Sequence, residues 1–338
     1  MSNVEHYTGS GSPERPARGR DAVKPADIPK AGWKDIVWRL YKELTDDRVL
    51  LIAAGVTFYL LLAFGPLLAA LVSIYGLFLD PADIATQASA LGGVVPGGGV
   101  DILTAQLERL SSANQSTLGI AFAISLIIAL WSANAGMKAM FEAMNVAYDE
   151  SEKRHFVRLT LTTLIFTVLS ILGVIALIVA NTLFTTFRGF LGVELPGWVV
   201  HTLTAVVAVA ALILFMACLF RYGPSRESPK WRWVTPGAVF SGVSIVVVSA
   251  LFTFYVANFG SYNETYGSLG ALVGCLTWLW LVIVVLILGG ELNSEMEHQT
   301  VRDTTTGKPE EMGERGATMA DEIGATVDQN SDKEVAQR

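Results

Sequence analysis

Charge is what this 338-residue chain has least of: 16% of its residues are Asp, Glu, Lys or Arg, against about a quarter in an average soluble domain. So few charges cannot furnish a water-exposed surface, and 52% hydrophobic residues with a mean hydropathy of +0.46 point to a chain solvated by lipid. Cysteine and histidine are scarce as well. Cys218 and Cys275 both lie inside apolar runs, where they serve as small packing residues and give neither a disulfide framework nor a compartment. His6, His155, His201 and His298 show no His-x-His spacing, and no Cys-x-x-Cys accompanies them, so no metal site is expected. The sequence has no Gly-x-x-x-x-Gly-Lys-Ser/Thr loop and no Gly-x-Ser-x-Gly elbow. The expectation is a protein that is not an enzyme, holds no cofactor and binds no nucleic acid. Residues 1–30 lack an apolar core of the kind a cleaved secretory signal needs, so the first long apolar run must itself direct insertion.

That run is residues 50–79, thirty positions without one charged side chain. A helix of this length outspans the roughly 30 Å hydrocarbon layer of a bilayer. Five more charge-free runs follow, and together they predict an all-α polytopic membrane protein with six spans, at about 50–79, 116–134, 159–187, 198–220, 234–259 and 268–290. A disordered tail over 1–32, a membrane domain over 33–298 and a second disordered tail over 299–338 complete the expected organisation, the tails being poor in apolar surface. The formal charge of -7 says little about partners, because nine acids from Asp303 to Glu334 crowd into the second tail.

Short amphipathic helices should lie in the membrane interface. Trp33, Val37, Leu40, Tyr41 and Leu44 fall on one helical face before the first span, and Met137, Met140, Phe141, Met144 and Tyr148 form a stripe after the second. A Met stripe of this kind reads as core or lipid contact before it reads as a cofactor site. Ile102, Leu103, Leu107 and Leu110 mark another amphipathic stretch in the longest loop. Lys and Arg collect in the first tail, in the second-to-third loop (Lys138, Lys153, Arg154, Arg158) and in the fourth-to-fifth loop (Arg221, Arg226, Lys230, Arg232). Because such residues accumulate on the cytoplasmic side, both termini are placed inside.

What polar chemistry remains is inside the spans. Pro66 follows Gly65 near the middle of the first span, where it removes a backbone hydrogen bond and kinks or breaks the helix, either for packing or to expose backbone groups to a substrate. Asn134, Asn181 and Asn258 need partners, since an unpaired amide costs several kcal/mol in hydrocarbon; they are expected to face the bundle, as interhelical hydrogen bonds or as the lining of a polar path. Glu291 follows Gly289 and Gly290 at the end of the last span, an interface carboxylate or one for ion coupling or gating. Arg221 closes the fourth span as an anchor or an anion site, and Tyr255, Tyr262 and Tyr266 complete the candidate path.

Several of these residues also form a recognisable series. Ala53-Ala54-Gly55 with Phe58-Tyr59 and Pro66, then Asn145, Tyr148, Glu152 and Arg154, then Arg221-Tyr222 with Pro224, Pro236-Gly237, Tyr262 through Gly270, Trp278 and Gly290-Glu291-Leu292-Asn293, resemble the YihY/BrkB family of bacterial inner-membrane proteins over roughly residues 33–297. The resemblance implies a six-helix integral membrane protein with its tails outside the family core. Members have been called ribonuclease BN, virulence or serum-resistance factors and transporters, and no established catalytic residues carry over. None of the acid, histidine or metal-ligand groupings expected for phosphodiester cleavage is present. The expected function is therefore a transporter, channel or lipid-handling protein of the bacterial inner membrane, with a scaffold in envelope assembly as the alternative. The lipid bilayer and an unidentified solute or lipid are its partners, and homo-oligomers are left open. With both ends inside, a membrane-impermeant maleimide is expected to leave a cysteine placed in either terminus unlabelled in intact cells and to label it after permeabilisation; labelling of either end from outside would reverse the orientation.

Overall fold

The structure is a computed structural model that describes residues 18–75, 120–190, 196–259 and 268–328. Of these, 77% are helical, and no strand occurs among the described residues. The helices are α1 (Lys30–Asp46), α2 (Val49–Tyr75), α3 (Ile120–Ala147), α4 (Phe156–Phe190), α5 (Gly197–Tyr222), α6 (Trp231–Phe259), α7 (Ser268–Glu297) and a short α8 (Thr318–Asp321). The amphipathic stretch at 102–110 lies outside the described residues.

Among the described residues, four segments are long and apolar enough to cross a bilayer: Phe156–Arg188 in α4, Gly197–Tyr222 in α5, Trp231–Asn258 in α6 and Leu272–Glu297 in α7. Only 17–28% of their most apolar windows is buried inside the protein, so most of each helix surface is left for hydrocarbon. Such surface is tolerable only in lipid, because a soluble monomer rarely exposes continuous apolar patches of this size. The expected count of six is thus met for four. The described apolar part of the first span is Val49–Ala63, and the start of the second lies outside the described residues.

Three sequence expectations are revised. Residues 64–75 remain helical, so α2 does not break at Pro66. The Met stripe is not a separate interfacial helix, because α3 continues unbroken from the apolar run to Ala147, and Met137, Phe141, Met144 and Tyr148 are buried. Nor do the described parts of the tails hang free. Backbone bonds run from Val301 N to Arg20 O (2.8 Å), Gly324 N to His298 O (2.8 Å) and Lys230 N to Thr304 O (2.8 Å). Arg18 pairs with Asp35 (2.6 Å) and with Asp328, joining the two ends of the described chain. The tails are too polar to fold by apolar burial alone. Arginines supply the cohesion: Arg20, Arg39 and Arg315 donate to the carbonyls of Gly324 (2.7 Å), Ala325 (2.9 Å) and Ala320 (2.6 Å), which a planar five-donor group does well.

The helices pack at one end. Val49, Ala53 and Val56 of α2, Phe141 and Met144 of α3, Leu219 and Phe220 of α5, Val234 and Ala238 of α6, and Ile283, Leu286 and Ile287 of α7 form one buried cluster. All lie toward the end that carries both described termini, hereafter the polar end. α6 and α7 come closest there. A Cβ on Gly237 would overlap Gly289 O and the Asn293 amide, and one on Gly289 would overlap Ser241 Oγ. Pro236 lacks an N–H and disturbs the α6 ladder just before this crossing. Asn293 of α7 repairs it, accepting from Gly237 N (2.8 Å) and donating to Val234 O (3.1 Å).

Gly237→Ala is expected to lower stability by about 1–3 kcal/mol or more, as overpacking does, read as a drop in the thermal unfolding temperature in detergent. Gly55→Ala, where an added methyl meets nothing within 4 Å, should leave that temperature unchanged or raise it, because alanine replaces glycine inside a helix.

Candidate functional site

The residues that carry chemistry gather at the polar end, where short connections hold them. Asn145, in the last turn of α3, donates to Glu152 Oε2 (3.1 Å) and accepts from Ser225 N (2.7 Å). Arg154 grips both Glu152 oxygens (2.7 Å each) and donates to Gly223 O (2.7 Å), tying the α3–α4 connection to the end of α5. Burial alone would raise the Glu152 carboxyl, but the Arg154 and Asn145 hydrogen bonds outweigh it and hold the pKa at about 2. Beside this clamp, Arg226 lies over the Tyr148 ring (5.1 Å) and donates to Glu297 (2.6 Å), with both ionic side chains fully buried. Burial pushes the Tyr148 hydroxyl up, well away from titration. These contacts build a floor; nothing in them is poised to react.

A second group differs because its charges do not cancel. Glu291, 1% exposed, has an Oε1 with no hydrogen-bond partner, and the charge that acts on it most is that of Asp47, in the turn between α1 and α2. Glu43 of α1, Asp149 after α3 and Glu295 of α7 add their fields. Burial comes first, and like charge second, in raising the carboxyls of Glu43 (to about 7), Asp47 and Asp149. Arg39, the buried cation nearby, is already spent on Glu295 and the carbonyls of Glu295 and Ala325. The backbone is unusual at both edges of this pocket: Arg48 and Asp149 have φ of 52° and 50°, a left-handed conformation uncommon outside glycine. Among the described residues no group of three or more His, Cys, Asp or Glu is arranged to hold a metal ion.

The remaining candidates are spread out. Asn134 is buried and accepts from Thr167 Oγ1 of α4 (3.3 Å), while Asn181 accepts from Thr204 Oγ1 of α5 (3.0 Å), so each links two neighbouring helices. Asn258 is exposed and donates to Phe254 O of its own helix (2.8 Å), contrary to the expectation that it faces the bundle. Tyr255 is 44% exposed and lies against Phe252. Arg221 donates to Pro229 O and sits over the Trp231 ring (4.8 Å), next to the polar-end floor. Tyr262, Tyr266 and the side chain of Pro66 lie outside the described residues. The structure therefore brings none of the other described candidates to Glu291, and gives it Asp47, Glu43, Asp149 and Glu295, which the sequence reading did not single out. A signal was available: Glu43 and Asp47, and Glu291 and Glu295, are both four residues apart on a helix or its last turn, a like-charge spacing that costs stability.

These shifts set two pH windows with opposite signs. Glu43 is raised from 4.5 to about 7, so the folded protein binds more protons than the unfolded chain between those values and stability falls as pH rises through them. Glu152 is lowered, so its contribution is present above about 4.5 and lost as pH falls toward 2. Glu43→Gln is expected to flatten the upper window and leave the lower one intact, measured by thermal unfolding against pH.

Comparison with known proteins supports the membrane assignment. The family model described as Virulence factor BrkB matches residues 40–314. The ribonuclease-like protein YfkH of Bacillus subtilis is 32% identical over 176 residues, half of this chain and 63% of its own length. A UPF0761 membrane protein of Nitrosospira multiformis is 25% identical over 75% of this chain and 58% of its own, and one of Methylibium petroleiphilum is 25% identical over 80% and 64%. The chain thus spans about three-fifths of the length of these curated relatives. No solved structure matches. With described residues that are all-helical and include four helices able to cross a bilayer, and a family model covering most of its length, the chain is a member of the BrkB family of membrane proteins.

Proposed function

We propose that this chain is a six-span protein of the bacterial inner membrane, with both termini cytoplasmic, that moves a solute, ion or lipid across or along the bilayer. One observation carries the reading: the carboxyl of Glu291, 1% exposed near the end of a membrane-spanning helix, with an Oε1 that has no hydrogen-bond partner and no cation in an ion pair with it. A charge-bearing group withdrawn from water costs several kcal/mol unless it is paired or neutralised. A purely structural bundle end gains nothing from such a cost, since a hydrophobic side chain would pack there more cheaply, whereas ionisable groups at membrane depth ordinarily mark ion and substrate routes. Asn134 and Asn181, which each link neighbouring helices by hydrogen bonds, would keep the helices in register around the route.

A scaffold role has one observation in its favour. The groove of about 650 Å³ along α1, lined by Lys30, Trp33, Lys34, Val37, Trp38 and Tyr41, is an outward-facing aromatic surface on the folded polar end. Purified protein in liposomes separates the readings. Transport predicts protein-dependent movement of at least one of three probes: protons reported by a trapped pH dye, potassium ions, and a fluorescent phosphatidylglycerol passing between leaflets. Glu291→Gln is expected to reduce that movement at least tenfold. Protein-free rates for all three probes would overturn the proposal in favour of the scaffold.

A further inference from the structure

The charges of α1 are sorted by face. Asp35 and Arg39 turn inward, Asp35 to Arg18 (2.6 Å) and Arg39 to Glu295, and are buried with Ile36. The outward groove holds none of the helix's acids: its lining is Lys30, Trp33, Lys34, Val37, Trp38 and Tyr41, with Val37 57% and Tyr41 74% exposed. Lys24 and Lys42, on either side of it in sequence, each have an acid, Asp27 (3.8 Å) and Asp46 (3.3 Å), whereas no ion pair with Lys30 or Lys34 occurs among the described residues. Two lysines four residues apart on one helix repel each other. They also stand near the start of α1, whose first turn has no acid, where the helix dipole favours negative charge. A bound anion relieves both costs.

What borders the groove identifies the anion. Trp33 and Ile36 of α1 belong to one packed cluster with Leu292 and Met296, which lie in the last turns of α7 and inside its membrane-spanning segment. Only Asp47 and Arg48 separate α1 from α2. At the same end exposed rings accompany cations: Lys138 lies over Trp131 (5.5 Å) and Phe156 (4.9 Å), and Arg221 over Tyr222 (5.3 Å) and Trp231 (4.8 Å), the company of residues with which spans meet the headgroup layer. We propose that the α1 groove binds an anionic phospholipid of the surrounding bilayer, its phosphate held by Lys30 and Lys34 and its glycerol region lying on Trp33, Trp38 and Tyr41. The inference needs only a bilayer around the spans, so it stands apart from the transport reading. A groove of about 650 Å³, open along one side, admits a headgroup whose acyl chains stay in the membrane. A zwitterionic lipid carries its own cation beside the phosphate and gains less from the lysines. Near an anionic surface each lysine contributes about fivefold in affinity.

The test uses full-length protein in phosphatidylcholine nanodiscs, with a headgroup-photoreactive phosphatidylglycerol or the matching phosphatidylcholine added as a minor lipid. Wild type is expected to cross-link at least fivefold more phosphatidylglycerol, with the excess adducts in residues 30–41. Lys30→Gln combined with Lys34→Gln should lower that yield at least fivefold, while Lys24→Gln leaves it within twofold. Equal yields from the two lipids, or an excess that lies outside residues 30–41 or survives the double substitution, would overturn the proposal. Dimers in lipid-free detergent that dissociate on Val37→Glu with Tyr41→Glu would overturn it too, by giving the groove to a second copy of the chain. Since the comparison of the two lipids on wild type needs no variant, a variant that fails to fold leaves the test decisive.

Discussion

The crossing of α6 over α7 at Gly237 and Gly289 sets the geometry of the polar end. Two backbones in direct contact leave no side-chain cushion to absorb a shift, so the angle and depth of α7 are fixed within a fraction of an ångström at that point. Asn293 locks the crossing by satisfying the α6 groups left awkward by Pro236. Because Glu291 and Asn293 are two residues apart on the same helix, the lock that holds the amide toward α6 turns the carboxyl toward the α1–α2 turn. The packed cluster and the acidic pocket are consequences of one contact.

Above this level the bundle is governed by solvent. The spanning helices bury little of themselves, and their backbone groups are satisfied within each helix, as hydrocarbon requires. Serine and threonine hydroxyls follow the same rule: those of Thr163, Thr167, Ser170 and Thr182 return to carbonyls of the preceding turn. Other side chains reach across to a neighbouring helix, among them Asn134, Asn181, Asn293, Ser241 (to Val285 O, 3.1 Å) and Trp278 (to Ser249 Oγ, 3.0 Å). Association between helices then relies on shape, which is why small residues and buried methionines collect where the helices meet.

Much of this was legible in the sequence. Uncharged length gave the helices, because no other backbone conformation satisfies itself in lipid, and the order of motifs from Asn145 to Asn293 gave the family. What escaped was governed by distance along the chain. Asp47 and Glu291 lie 244 positions apart, and no periodicity connects them. The tails were read as disordered because their apolar content is low, yet Arg18, Arg20, Arg39 and Arg315 hold them by charge-assisted bonds that composition does not weigh. In α1 the sequence reading singled out the apolar stripe of Trp33, Val37, Leu40, Tyr41 and Leu44 and passed over the polar residues on the other side. The buried face carries Asp35 and Arg39 with Ile36, while Val37 and Tyr41 look outward, because the folded tails offer ionic partners on one side and the membrane surface suits the other.

The clasp between the two ends of the described chain has a mechanical consequence. Arg18 is bound to Asp35 and to Asp328 at once, so the entry and exit of the bundle share a single fastening. Tension applied to either flanking segment is met there before it can reach α2 or α7.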